Sequence, residues 1–174
     1  MKVFPFAFLL IAGCFAAADE PSLDPKLEPL RPLLGKTWKA ELKDAKTGKT
    51  SEDIARWERA LNGRAVRILH SVDAGSYGGE SIVRWDKNQN TVVFHYFTTA
   101  DFTTKGTMTF KDGAVITHED VAGEAGGVTQ VRATITLAGE EAFQMKTEYM
   151  KDGKWELARE TTYRQDGAAT VVFK

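Results

Sequence analysis

The feature that most constrains the fold of this chain is an alternation of apolar and polar residues with a period of two. It recurs from Lys36 to Gln165, in runs such as TVVFHYFTT at 91–99 and VTQVRATITL at 128–137. A period of two places successive side chains on opposite faces of a β-strand. No run after Lys36 has the 3.6-residue period of a helix, so the sequence predicts an all-β domain.

Turn residues separate these runs. Asn62-Gly63, Lys111-Asp112-Gly113 and Lys151-Asp152-Gly153 are typical of hairpin turns, and residues 87–90 and 138–140 have the same character. Consecutive strands joined by short turns form a meander, which loses its exposed edges by closing on itself. We therefore predict one antiparallel up-and-down β-barrel of about ten strands.

The barrel is predicted to span residues 35–166, between two short extensions. Residues 19–34 are a spacer that ends in PLRPLL, where the prolines permit only a short helical turn that ends at Gly35. Residues 167–174 are a C-terminal tail. The glycine-rich stretch EDVAGEAGGVTQ at 119–130 is predicted to be a mobile loop rather than a domain boundary.

The first 18 residues have the layout of a secretory signal peptide, with Lys2, an apolar stretch and then small residues. Cleavage after Ala18 would release a periplasmic or secreted protein. The alternative is the segment Ile11 to Cys14, which resembles a bacterial lipobox and would leave Cys14 acylated on a membrane. We favour release because Ala16 to Ala18 lie immediately before the charged residues Asp19 and Glu20.

Charge and composition exclude several partners and cofactors. The chain has 23 basic and 24 acidic residues and no basic face of the kind that nucleic-acid binding requires. The three histidines lie in separate strands, and Cys14 is the only cysteine, so we expect no metal and no cofactor. Membrane association is expected only if Cys14 is acylated, and nothing in the sequence sets the oligomeric state.

Alternation also assigns the inward face of each strand, taken as the more apolar one. This phasing sends polar groups and flexible side chains into the interior, where they are candidates for contact with a ligand. The candidate cavity residues are Trp57, His70, Tyr96, Met145, Tyr149, Arg159 and Tyr163. Trp155 and Leu157 are predicted to face inward as well, and the four tryptophans are taken chiefly as core and barrel-plug residues.

Arg159 is the most informative of these residues, because a buried charge must be paired or hydrated. A ligand carboxylate would pair it. The simpler alternative is an internal acid such as Glu58, or a position at the barrel mouth. His70 is likewise interpreted first as an interior histidine that is satisfied by the protein, whereas His95 is expected on the surface.

The stretches LLGKTWKAEL, ARWERALNGRAVRILHS, YGGESIVRWDKNQNTVVFHYF, TTKGTMTF and ETTYRQ, in this order and spacing, carry a family resemblance. The chain resembles the lipocalin-like exported bacterial domains of unknown function, in the calycin superfamily, over roughly residues 30 to 165. The resemblance implies a β-barrel, often with an apolar cavity, and no established reaction. The related haem-binding nitrobindins use a histidine late in the chain, whereas the last histidine here is His118.

Three functions follow from these observations. The first is an exported barrel that binds a small apolar or amphipathic molecule and is not an enzyme. The second is a barrel with a filled core that acts through its surface in the cell envelope. The third is a barrel enzyme, which would need His70 beside an acid inside the cavity; no catalytic motif supports it, and the serines lack a nucleophile elbow.

Overall fold

The computed structural model describes residues 22–43 and 47–174, without the side chains of residues 122–125. These residues form one closed antiparallel barrel in which each strand pairs with its neighbours in the chain. The strands are β1 (Thr37–Lys43), β2 (Thr50–Ala60), β3 (Ala65–Val72), β4 (Tyr77–Asp86), β5 (Thr91–Thr98), β6 (Thr103–Lys111), β7 (Ala114–Ala125), β8 (Val128–Leu137), β9 (Ala142–Lys151) and β10 (Lys154–Gln165). The predicted ten-stranded up-and-down barrel is confirmed.

Pairing of the first strand with the last closes the barrel, with Trp38 opposite Gln165. Within the sheet, Val83 lies opposite Phe94 and Trp85 opposite Val92, as a four-residue turn at 87–90 predicts. Every strand is paired on both sides, and the pairing of β1 with β10 consists of Trp38 with Gln165 and Lys39 with Arg164. The alternating pattern therefore specifies both the strand pairing and the inward face over most of the barrel.

A leucine-rich segment seals one end of the barrel. It includes a 3-10 helix, Glu28–Leu33, and its residues Leu27, Leu30 and Leu33 are at most 1% exposed. The indole Nε1 of Trp38 donates a hydrogen bond to the Leu33 carbonyl oxygen at 3.2 Å. We call this end the closed end; the turns after β2, β4, β6 and β8 lie there, and the other turns lie at the open end.

A β-bulge in β10 changes the predicted inward face of the last strand. Leu157 pairs with Glu148 but Arg159 pairs with Thr147, so the register shifts by one residue between them. An extra residue in one strand reverses the facing of everything before it. The prediction that Trp155 and Leu157 face inward was wrong: Leu157 is 58% exposed, and Trp155 contacts His118 and Arg132 on the outer surface.

The glycine-rich stretch predicted as a loop is largely strand. β7 continues to Ala125 and β8 begins at Val128, so Gly126 and Gly127 alone form the turn, both with positive φ. Glycine adopts this conformation without steric cost, which allows a two-residue hairpin turn. The predicted long loop is therefore replaced by a tight turn between two extended strands.

The C-terminal tail lies against the outside of the barrel. The backbone nitrogen of Asp166 donates to the Thr37 carbonyl, and that of Val172 donates to Ser71 Oγ at 3.1 Å. The predicted signal peptide and Cys14 lie outside the described residues. In the described part of the chain, no helix has the length and apolar character needed to cross a membrane.

Candidate functional site

The interior of the barrel contains a cavity of about 760 Å³. Its wall is apolar towards the closed end and polar towards the open end, because the strands contribute mainly apolar side chains to one half and mainly polar ones to the other. The apolar half includes Trp57, Ile68, Val83, Phe94, Met108, Ile135, Phe143 and Met145; the polar half includes Ser51, Asp53, His70, Tyr77, Tyr96, Thr104, Glu119, Tyr149 and Arg159.

Exposed residues complete the wall at the open end. Lys43, Thr47, Lys49 and Phe102 line the cavity and are exposed to solvent. Since residues that face solvent also line the cavity, the cavity communicates with solvent at this end. The closed end is blocked by the buried leucines of the N-terminal segment.

All seven candidate residues predicted from the sequence lie on the wall of this one cavity: Trp57, His70, Tyr96, Met145, Tyr149, Arg159 and Tyr163. They come from strands β2, β3, β5, β9 and β10. The alternating pattern alone places them inside, because each lies in phase with the apolar residues of its own strand. That they contact a ligand stays a prediction.

A chain of hydrogen bonds links the polar side chains across the barrel. Tyr163 Oη donates to Asp53 Oδ2 at 2.5 Å, and His70 Nδ1 lies 3.0 Å from Asp53 Oδ1. His70 Nε2 lies 2.6 Å from Tyr96 Oη, which lies 2.9 Å from Tyr77 Oη. These hydrogen bonds therefore connect side chains of strands β10, β2, β3, β5 and β4.

The Asp53 carboxylate fixes the direction of the two bonds that it makes. The Asp53 carboxylate only accepts, so His70 must donate from Nδ1. In the neutral imidazole, Nε2 then accepts the Tyr96 hydroxyl, and the Tyr96 oxygen accepts the hydroxyl of Tyr77. Both nitrogens of His70 are thus occupied by protein groups, and the Tyr163 hydroxyl hydrogen is committed to Asp53.

The position of Tyr96 depends on a glycine in the neighbouring strand. Gly79 faces inward, and a Cβ atom at this residue would collide with the ring of Tyr96 and with the Phe97 carbonyl oxygen. A strand glycine of this kind marks a close approach by another group. Burial, followed by the hydrogen bond with Tyr77, raises the pKa of Tyr96 above that of a free tyrosine. Tyr96 therefore stays protonated at physiological pH.

Tyr163 and Asp53 form a deeply buried polar pair. Tyr163 is 3% exposed and Asp53 is 5% exposed. Burial, together with the negative charge and the hydrogen bond of Asp53, raises the pKa of the Tyr163 phenol well above its usual value. Tyr163 therefore remains a hydrogen-bond donor to the carboxylate.

Glu119 is a second acid on the cavity wall. Its Oε1 accepts a hydrogen bond from Thr104 Oγ1 at 2.5 Å. Burial raises the pKa of Glu119, although the Thr104 hydrogen bond and the nearby His70 oppose the rise. A buried carboxyl group holds its proton more tightly than one in water.

Two buried donors on the cavity wall have no partner among the described residues: Arg159 Nε and Trp57 Nε1. The alternative that Glu58 pairs Arg159 was wrong, because Glu58 accepts from Arg56 at 2.6 Å and lies 3.8 Å from Arg67. In the described residues, Arg159 makes no ion pair or hydrogen bond. A buried donor without a partner costs about 1–3 kcal/mol, which a ligand acceptor or water would relieve.

The remaining histidines lie outside the cavity. His95 is exposed, as predicted, and His118 is exposed beside Trp155, with 6.0 Å between their ring centres. Within the residues that the structure describes, no group of three His, Cys, Asp or Glu side chains is placed to hold a metal ion.

The sequence-based interpretation missed Asp53, Tyr77, Thr104 and Glu119. Asp53 had a usable signal, because it lies two and four residues before Ala55 and Trp57, on the same face of β2. Tyr77 is the first residue of β4 and Thr104 the second residue of β6, and the alternating pattern is weakest at the ends of strands. Placing Glu119 on the cavity wall requires knowledge of the register of β7 against its neighbouring strands.

The chain matches no protein-family model and no curated protein sequence. The closed ten-stranded antiparallel barrel is consistent with a lipocalin-like fold. The resemblance seen in the sequence is thus supported for the fold only. The function must be argued from the cavity itself.

Proposed function

We propose that this protein binds a small apolar or amphipathic molecule inside its barrel, without catalysing a reaction. The observation that carries the proposal is the interior cavity of about 760 Å³, which is within the usual range of roughly 300–1,000 Å³ for small-molecule sites. A barrel that acts only through its surface would be expected to have a filled core. The space therefore favours binding in the interior.

The polarity of the wall supports an amphipathic ligand in one orientation. An apolar tail would contact Phe94, Met108 and Phe143 towards the closed end. A polar head would remain near Tyr96 and Arg159, close to solvent. Apolar area supplies most of the affinity in such sites, and a few polar groups set the orientation.

The hydrogen-bonding of His70 supports a role without catalysis. A general base needs a lone pair within reach of the substrate proton. Here Asp53 and Tyr96 engage the two ring nitrogens, so neither nitrogen is offered to a ligand. The acid that the enzyme hypothesis requires is present, but the chain of bonds favours a structural role for His70.

Export remains part of the proposal and rests on the first 18 residues of the sequence. We propose a mature protein that begins at Asp19, is periplasmic or secreted, and has no nucleic-acid partner. Intact-mass measurement of the protein from its native envelope tests this directly. A chain acylated at Cys14 would overturn it, and Cys14→Ser would then abolish membrane association.

The binding proposal is tested by filling the cavity. Ala133 lines it, whereas Thr136 in the same strand is exposed on the outer face. Ala133→Trp should abolish binding of dodecanol, measured by calorimetry, while Thr136→Trp should leave it unchanged. Failure of the wild-type protein to bind dodecanol or any other amphiphile, and absence of a co-purified molecule in native mass spectra, would overturn the proposal.

A further inference from the structure

Arg159 is a charged residue that makes no ion pair in the described part of the protein. It lies in the polar half of the cavity, is half-buried, and its Nε is buried without a hydrogen-bond partner. Arginine keeps its charge at any physiological pH, so it cannot relieve burial by losing a proton. An unpaired guanidinium in such a place attracts an anion.

The acids on the cavity wall have other hydrogen-bond partners. Both carboxylate oxygens of Asp53 are engaged, one by His70 and the other by Tyr163. Glu119 bonds to Thr104 and its burial disfavours the charged form. Neither acid makes an ion pair or a hydrogen bond with Arg159 among the described residues, so its guanidinium is left without a direct partner.

The bulge in β10 leaves the arginine on the inward face and turns the residues before it outward. Residues before the bulge have their alternation reversed, and Leu157 consequently faces solvent. Arg159 follows directly after the register shift, on the inward face shared with Thr161 and Tyr163. The bulge therefore separates Arg159, which keeps the inward facing that alternation predicts, from Leu157, which it turns towards solvent.

We propose that the cavity selects amphiphiles with a singly charged carboxylate head, which pairs with Arg159 while the apolar tail extends towards the closed end. This inference rests on the proposed binding function and names its ligand class. Lys43 and Lys49 at the open end add positive charge at the entrance. They attract the same head group before it enters.

Charge matching distinguishes a carboxylate from a phosphate head. One guanidinium balances the single charge of a carboxylate, and its planar donors match the two oxygens. A phosphate monoester carries roughly −1.5 to −2 at pH 7 and would leave excess charge in a partly apolar cavity. The structure therefore favours the carboxylate.

The test compares three probes with the same apolar tail: dodecanoate, dodecanol and dodecyl phosphate. Affinities are measured by calorimetry at about pH 8, where the carboxylate is ionised. The wild-type protein should bind dodecanoate at least about tenfold more tightly than dodecanol. Arg159→Gln should remove that preference and leave dodecanol binding within about twofold. Arg164→Gln, on the exposed face of the same strand, should retain the preference.

The outcomes separate this inference from the binding proposal. Equal binding of dodecanoate and dodecanol by the wild-type protein overturns the carboxylate assignment and leaves the binding proposal standing. Tighter binding of dodecyl phosphate than of dodecanoate also overturns it. If no probe binds, the binding proposal fails first. Because the wild-type comparison needs no variant, misfolding of Arg159→Gln would not rescue the inference.

Discussion

The closed and open halves of the barrel interior are held together by different forces. Around the closed end, Leu27, Leu30 and Leu33 pack with Trp38 in a core that water does not reach. The open half surrounds ligand space with Asp53, His70, Tyr77 and Tyr96, which hydrogen-bond to one another, and Tyr163 reaches Asp53 from the apolar side. Apolar burial stabilises the first, whereas the second avoids the cost of leaving buried polar groups unpaired.

This contrast teaches how a small barrel can contain a cavity and still fold. The N-terminal segment and the rings of Trp38 and Phe143, which pack edge to face at 5.1 Å between centres, concentrate the apolar contacts at one end. The other end is then free to carry groups suited to a ligand. If this division is correct, substitutions at the closed end should change stability most, and substitutions at the open end should change pH dependence and ligand kinetics.

The largest effect should come from the leucine seal. Leu30→Ala removes a fully buried side chain and should lower the free energy of unfolding by about 2–5 kcal/mol, measured by urea denaturation. Leu61→Ala, at a residue 68% exposed in the turn after β2, should change it by less than about 0.5 kcal/mol. Equal small losses in both variants would show that the seal contributes little.

A smaller loss is expected from the hydrogen-bond chain in the open half. Asp53→Asn keeps the shape of the side chain but places an amide NH₂ against one of two donors, His70 or Tyr163. The substitution should lower the free energy of unfolding by about 1–3 kcal/mol. Glu52→Gln, which alters an exposed ion pair with Lys39, should cost less than about 1 kcal/mol. If Asp53→Asn lost as little stability as Glu52→Gln, the hydrogen bonds of Asp53 would not be important for stability.

The third prediction concerns pH and Glu119. Its pKa is raised in the folded protein, so the folded state binds this proton more tightly than the unfolded state does. The stability that protonation supplies is present below the ordinary pKa of glutamate and is lost as pH rises through the folded pKa. Relative to Glu119→Gln, which is neutral at every pH, the wild-type protein should therefore become less stable across this window.

Urea denaturation at a series of pH values measures that difference. Glu160→Gln, at an exposed residue of β10, is the matched control and should give a curve parallel to that of the wild-type protein. A parallel curve for Glu119→Gln would mean that burial does not disfavour the charged form of Glu119.

The smallest effect should come from the lysines at the entrance. Lys49→Gln should slow association of dodecanoate by less than about threefold, in stopped-flow measurements at low salt, and the difference should disappear at high salt. Dodecanol, which is uncharged, should associate at an unchanged rate. Lys87→Gln, at an exposed turn of the closed end, should affect neither probe. A slower rate for dodecanol would indicate a steric rather than an electrostatic effect.

The sequence by itself determined the strands, most turns and the inward face of most of the barrel. These properties are local: alternation with a period of two fixes which side chains share a face, and turn residues fix where each strand stops. For this reason the pattern of the sequence is sufficient to place His70, Tyr96, Arg159 and Tyr163 in the interior.

Only the tertiary structure decided that the interior is hollow and which groups meet in it. Tyr163 and Asp53 are 110 residues apart in the sequence. They meet because β1 pairs with both β10 and β2, which brings these two strands close together. The bulge that turned Trp155 outward leaves no mark in the period of the sequence. Contacts across a barrel depend on closure and register summed over all its strands, and no single stretch of sequence carries that information.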